Sequence, residues 1–261
     1  MLLEGKRLVI TGVLTDDSIA FHSARVAQEQ GAQIVLTGFG RALRLTQRSA
    51  KRLPDPPDVL ELDIQDEGDM RALVADLEQR WGAVDGALHA IAYAPNDALG
   101  GNFLNTPADS AAMAFLTSAF SYKTLAVGLY PLLKAAGGGS LVALDFDNSQ
   151  AWPLYDWMGV AKASLQAVTR YLARDLGGDD IRVNAIAAGP LGTVAARSIP
   201  QFELFEREWA VRAPLGWDVT DPTPVGNMIA VLLSDWSTMT TGEIIHVDGG
   251  FHAIAAGSEP S

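Results

Sequence analysis

The chain has 261 residues, 48% of them hydrophobic, which is enough for one large α/β domain with a sizeable core. It contains no cysteine, which excludes a disulfide framework, a thiolate metal site and a thiol nucleophile. Its net charge is -12 with the acidic residues dispersed, which argues against nucleic acid as a partner, because phosphate neutralisation needs clustered lysine and arginine.

The N-terminus lacks the charged start and apolar core of a signal peptide and runs straight into a strand at 8–10, closed by Gly12. A helix follows over 18–30, with Ala20, Ala24 and Ala27 at helical spacing and Gly31 where a left-handed cap is expected. A second strand occupies 34–36. The basic segment after it carries Arg41, Arg44, Arg48, Lys51 and Arg52, mostly on one helix face, either as a solvated face or as a contact for a nucleotide or acidic partner. Pro54, Pro56 and Pro57 mark a turn before a short third strand at 59–62. Met70, Leu73, Val74, Leu77 and Trp81 form a helical stripe, and 84–91 reads as a fourth strand. A loop over 96–107 and a long helix over 109–133 precede a glycine break at 137–139 and a fifth strand at 140–144. The next helix follows Tyr155 and continues through Leu165, Val168, Leu172 and Leu176. A sixth strand at 181–187, a last helix around Val225–Leu233, a seventh strand at 243–247 and a disordered tail at 257–261 complete the expected order. No apolar stretch reads as long and uninterrupted enough to span a bilayer.

Near-continuous apolar strands alternating with helices predict an α/β fold. We expect a single Rossmann-type doubly wound parallel sheet of about seven strands over 1–256, with helices on both faces. Ligands in such sheets sit outside the carboxyl ends of the strands. The irregular stretch 188–221 follows one such end, so a substrate cover is expected at about 193–217.

The first strand-to-helix turn offers Gly12 for a tight turn and Ser18 as a helix cap with a hydroxyl for phosphate, followed by Ile19. Phe39 follows the second strand, where an adenine ring can stack. Asp63 can accept from the adenine amine and Ile64 can cover the ring. Ala90, Ile91 and Ala92 end the fourth strand, where small residues admit a ribose. These residues fall at four successive strand ends, as one ligand along a sheet edge requires. No acidic residue follows the second strand, and Arg41 leaves room for a 2′-phosphate.

Tyr155 and Lys162 are seven residues apart, nearly two helical turns, so both side chains share a face. A phenol and an ammonium held together can bind a reacting oxygen and a sugar hydroxyl. Gly159 stands four residues after Tyr155, so the Tyr-x-x-x-Lys pattern commoner in nucleotide-dependent reductases is absent. Val142 stands where that pattern would carry its serine. The four histidines are scattered, so no metal site is expected, and no G-x-S-x-G elbow is present.

The run Tyr155-x-x-Met158-Gly159-x-Ala161-Lys162, with Gly12 and Ser18-Ile19-Ala20 upstream, resembles enoyl-(acyl-carrier-protein) reductases of the short-chain dehydrogenase superfamily, which carry Tyr-x6-Lys. The resemblance covers nearly the whole chain, including 26–33, 36–39, 145–147, 187–190, 212–217, 232–236 and 247–250. Phe146, where many bacterial relatives carry a second tyrosine, points to the actinobacterial, mycolate-related NADH branch.

The resemblance implies NADH-dependent reduction of the trans-2 double bond of an enoyl thioester linked to acyl carrier protein or coenzyme A, in fatty acid biosynthesis. It implies that Tyr155 donates to the enolate oxygen, Lys162 holds the nicotinamide ribose, and Phe146 packs beside nicotinamide and substrate. It also implies cofactor contacts from Leu191 and Thr193, a homotetramer, a cytoplasmic location, and no nucleic-acid or membrane partner. Departures from the branch are Ala90, Ala92, Gly192 and a shorter cover. A shorter cover buries less acyl chain, at about 0.8 kcal/mol per methylene, so a preference for shorter chains is expected. Arg197, Arg207 and Arg212 are candidates for a basic patch facing the acidic carrier. The competing readings are a ketone or alcohol oxidoreductase of the same superfamily and a non-catalytic NAD(H) sensor.

Overall fold

The computed structural model describes residues 1–197, 199 and 201–255, so the tail at 257–261 lies outside the described residues. The first strand, β1 (Arg7–Ile10), buries Leu8, Val9 and Ile10 completely, so both of its faces need cover. It leads into α1 (Ile19–Glu29), whose start is capped by Ser18 and whose end passes into Gly31 at φ 95°. Then follow β2 (Gln33–Gly38), α2 (Gly40–Ala50), β3 (Val59–Glu61), α3 (Glu67–Trp81) and β4 (Gly86–His89). Asp66 starts α3 by accepting from the backbone N–H groups of Gly68 and Asp69.

The second half opens with α4 (Ala108–Phe115) and α5 (Ser121–Ala135), joined by one π-helical stretch, Leu116–Phe120. After β5 (Gly139–Asp145) come α6 (Asp156–Leu176) and β6 (Ile181–Ala188). The chain ends with α7 (Val194–Arg197), α8 (Glu203–Arg212), α9 (Thr223–Leu233) and β7 (Ile244–Val247).

Among the described residues the seven strands form one parallel sheet in the order β3-β2-β1-β4-β5-β6-β7. Val9 registers with Val35 on one side and Ala87 on the other. Strand alternation splits the core into two layers. Leu8, Ile10, Leu36 and Ile186 face α1 and α9, whereas Val9, Val35, Ala87 and Leu141 face α3, α5 and α6. Strand order reverses between β1 and β4, which opens a crevice at their carboxyl ends.

The expected long helix is interrupted by its π stretch. The extra residue there lets Ser118 bond Tyr93 (3.0 Å to both its N–H and C=O) while Ser121 turns toward His89. The expectation that no stretch could span a bilayer needs correction. Ala108–Ala135 is long and apolar enough by composition, but 44% of its most apolar window is buried, with Tyr122, Leu125 and Leu129 in the core. The stretch 188–221 is also more regular than expected. Phe202, Phe205 and Trp209 lie at helical spacing and pack into an aromatic cluster, so burial organises α8 within the stretch read as irregular.

Candidate active site

A cleft of about 530 Å³ lies over the carboxyl ends of β1, β4, β5 and β6. Gly12 enters it from β1 at φ 79°; a Cβ there would overlap the Ala90 carbonyl oxygen, so the two strand ends meet with no room for a side chain. Ala90, Ile91 and Ala92 line it after β4, and Leu191 and Thr193 after β6. Ser18, Ile19 and Ala20 bring the start of α1 to the same cleft, with no acidic residue in that first turn.

Tyr155 and Lys162 both line the cleft and are both buried. Tyr155 immediately precedes α6, flanked by two non-glycine residues in the left-handed region, Leu154 (φ 65°) and Asp156 (φ 41°). The strained corner is tied down on both sides. The Leu154 carbonyl accepts from Gly100 N–H (2.9 Å), and Asp156 Oδ2 accepts from Gly101 and Asn102 N–H (2.6 and 3.0 Å). One face of α6 then grips the end of β5. Lys162 Nζ donates to the Leu144 carbonyl (2.7 Å), and Gln166, one turn on, donates to Asp145 Oδ2 (2.8 Å).

Burial controls the charges here. It raises the Tyr155 phenol above its ordinary range, with the Asp145 charge adding to the effect, so the phenol stays protonated. Burial lowers the Lys162 ammonium, and Asp145 opposes that. Burial also pushes Asp145 up to about 6, against the pull of Lys162. His89 is fully buried, with Nε2 2.7 Å from Ser121 Oγ, and is pushed down to about 3 by burial and then by Lys162. It is therefore a neutral spacer beneath the lysine, in keeping with a structural role.

The residues present fit a dinucleotide. A side-chain-free strand end, an open helix start and an ammonium converge on one cleft. Asp145 lines the cleft, and its Oδ1 is buried with no partner among the described residues, an orphaned acceptor in the cleft wall.

Phe39, Asp63 and Ile64 do not line this cleft. Phe39 is half-exposed just before α2, Ile64 is buried, and Asp63 Oδ1 accepts from Gln65 N–H (3.0 Å). They extend the same sheet edge across β2 and β3. The Ser18 hydroxyl was expected to serve a phosphate, yet its oxygen accepts from Phe21 N–H (3.2 Å) and its proton goes to the Thr15 carbonyl (2.8 Å). Thr193 Oγ1 accepts from Ala196 N–H (3.1 Å), starting α7. Of the expected basic patch, Arg207 is exposed, but Arg212 is committed: its guanidinium lies 4.1 Å from the Phe251 ring centroid and donates to the Ile254 carbonyl (3.0 Å). Arg197 reaches back toward Gly192, its Nη2 3.6 Å from where a Cβ would stand. Sequence reasoning missed Asp145 and Gln166 as site residues. The i, i+4 step from Lys162 to Gln166 was the available signal.

Among the described residues no group of three or more histidine and acidic side chains is placed to hold a metal. A parallel sheet in this order, with a buried tyrosine and lysine over its switch point, defines a dinucleotide-dependent reductase of the short-chain type. The family model described as Enoyl-(Acyl carrier protein) reductase matches residues 12–252, and the chain belongs to that family. It is 44% identical, over 95% of its length and 97% of the relative's, to an enoyl-(acyl-carrier-protein) reductase (NADH) of Mycolicibacterium smegmatis. It is also 44% identical, with the same coverage, to the enzyme of that name from Mycobacterium avium. A Bacillus subtilis enzyme so named is 37% identical, over 97% of this chain and 98% of its own.

Proposed function

We propose that the protein is an NADH-dependent reductase of the trans-2 double bond of enoyl thioesters in fatty acid synthesis. The observation that carries this reading is the buried Tyr155 at the start of α6, lining one cleft with Lys162 of that helix and with Phe146. Phe146 packs edge-on to Tyr155 with ring centroids 5.3 Å apart, which fixes the phenol from the side.

NADH, when bound, supplies hydride to the β-carbon of the enoyl group. Hydride addition would place negative charge on the thioester oxygen, toward which Tyr155 would donate a hydrogen bond, and a proton taken from solvent at the α-carbon would complete the reduction. A phenol whose burial disfavours ionisation is a fixed donor, and away from bulk water such a bond counts for more than in water. Lys162 would hold the nicotinamide ribose, with Asp145, held by Gln166 through its other oxygen, as a neighbouring acceptor. Gly12, Ile19, Leu191 and Thr193 would hold the phosphates, with Ser18 capping the helix start. Ala90, Ile91 and Ala92 would border a ribose, and Phe39, Asp63 and Ile64, further along the sheet edge, would take the adenine.

Ketone reduction by the Tyr-x-x-x-Lys route lacks its serine: Val142 is fully buried inside β5, paired with Leu88 and Asn184. The test is steady-state oxidation of NADH, and of NADPH in parallel, with crotonyl and octenoyl thioesters. Turnover with NADH in one-to-one stoichiometry supports the reading; binding of NADH with no consumption would make the protein a sensor instead.

The carrier of the thioester is acyl carrier protein. We place the enzyme in the cytoplasm as a homotetramer. The oligomer reading is supported by exposed apolar residues on the outer side of the α5–α6 helix layer: Phe120 in the π-helical stretch, Val127 on α5, and Val160 and Tyr171 on α6. The cover spans 193–217, with α7 and α8 as its framework.

A further inference from the structure

We propose that Arg41 is a seat for a phosphate on the adenosine ribose, so that this chain binds NADPH as well as NADH; this rests on the dinucleotide reading of the cleft above. In parallel sheets of this order, a carboxylate after the second strand binds the adenosine ribose hydroxyls and disfavours a 2′-phosphate, whereas an arginine nearby accommodates one. From Gln30 to Pro54 this chain has no acidic residue, and it has five cations: Arg41, Arg44, Arg48, Lys51 and Arg52.

The fold brings the start of that basic segment to the crevice. β2 lies beside β1 with Leu36 in register with Ile10, so the chain after Gly38 emerges next to the Gly12 turn, one strand over. Two hydroxyls then fasten α2 to the loop that follows Gly12. Thr46 Oγ1 donates to the Val13 carbonyl (2.6 Å) and Ser49 Oγ to the Leu14 carbonyl (3.3 Å). Leu14 and Thr15 of the same loop line the cleft. Gly40 leaves open space, with no atom within 4 Å of where a Cβ would stand, and Arg41 beside it is exposed. Ion pairing then separates the five cations. Arg52 is paired with Asp16, whereas Arg41 and Arg44 form no ion pair among the described residues. The loop's other acid, Asp17, accepts from the Thr15 hydroxyl, and Asp63, after β3, accepts from Gln65 N–H (3.0 Å).

A guanidinium is charged at every working pH and forks onto two oxygens of a phosphate. The net charge of -12 would oppose an added phosphate, but at physiological salt that field is screened beyond about 8 Å, and the near field here is basic. Loss of one charge-assisted phosphate contact corresponds to roughly tenfold or more in affinity.

The test is fluorescence titration of the full chain with NADH and NADPH, joined by calorimetry of ADP-ribose against its 2′-phosphate, neither of which depends on turnover. NADPH should bind within about tenfold of NADH, and Arg41→Ala should weaken NADPH about tenfold or more relative to NADH. Arg41→Glu should widen that gap further, and added salt should weaken NADPH more than NADH in the wild type but not in Arg41→Ala. Arg48→Ala, two turns along the same helix face, should leave the ratio of the two affinities near its wild-type value. A wild-type preference for NADH beyond about tenfold, or an unchanged ratio in Arg41→Ala, overturns the seat. Equal effects of Arg48→Ala and Arg41→Ala also overturn it, since they would make the preference a diffuse field. Binding of neither cofactor would overturn the dinucleotide reading itself, and the seat with it.

Discussion

Tyr155 is useful because it is hard to ionise. Its burial and the nearby Asp145 charge both favour the neutral phenol, so a hydrogen-bond donor stands ready whatever the neutral-range pH. Tyr155→Phe should lower kcat by about 10²-fold, in the range for loss of one such donor, with NADH affinity nearly unchanged. Lys162→Ala should weaken NADH binding itself, measured by fluorescence titration; normal binding would refute the ribose role. Asp145 makes a different, pH-dependent prediction for the free enzyme. Its carboxyl keeps a proton up to about 6 when folded and releases it lower when unfolded, so folding holds the extra proton and stability falls as pH rises through that window. Above it, the buried charge costs up to about 3 kcal/mol. Asp145→Asn should therefore melt higher than wild type at pH 8, with the difference gone by pH 4 in thermal scans, while NADH binding weakens.

The start of α6 shows how a loop and a helix are made to position one phenol. Leu154 and Asp156 would relax from their left-handed backbone if unpaired, and the loop 100–102 supplies the partners. Asp156→Ala removes two charge-assisted bonds. It should lower kcat by roughly tenfold, leave NADH affinity intact, and speed amide exchange across 100–105. None of this lock was readable beforehand, because an aspartate after a tyrosine looks the same whether it caps a helix or clamps a loop. The strands were readable, since Leu8-Val9-Ile10 and Leu141-Val142-Ala143 can only be buried on both faces. Of the residues expected at strand ends, Gly12, Ala90, Ile91 and Ala92 line the cleft, because the fold brings the ends of β1 and β4 together, whereas Phe39, Asp63 and Ile64 lie outside it. The pairing of Gln166 with Asp145 was hidden by distance in sequence. The helix α8 was hidden because the burial of Phe205 and Trp209 depends on Trp152 and Phe251 far along the chain.

At the scale of the molecule, the helix layer over one face of the sheet is apolar on both of its sides. Val127 is 53% exposed and Tyr171 62%, with Phe115, Leu116 and Phe120 nearby in sequence on the π-interrupted helix. These exposed residues support the proposed association between copies, which makes a prediction. Val127→Glu combined with Tyr171→Glu should dissociate the assembly, seen as a fall in mass by light scattering, and lower the melting temperature. Each chain carries a net charge of -12, so the wild-type assembly should resist dilution better at 0.5 M salt than at low salt, as screening relieves repulsion between subunits.

Contact between the ends of β1 and β4 also has a consequence for how the chain can vary. Gly12 lies against the Ala90 carbonyl at a positive φ, so any side chain would have to push the strand ends apart at the mouth of the cleft. Gly177 and Gly178 have open space around them, and Gly177 has an ordinary helical φ of -62°. A library randomised at these three positions and selected for function should return a single letter at 12 and a broad alphabet at 177 and 178. The cofactor crevice would thus be inherited as a fixed point, around which the cover and its aromatic cluster are free to drift toward other substrates.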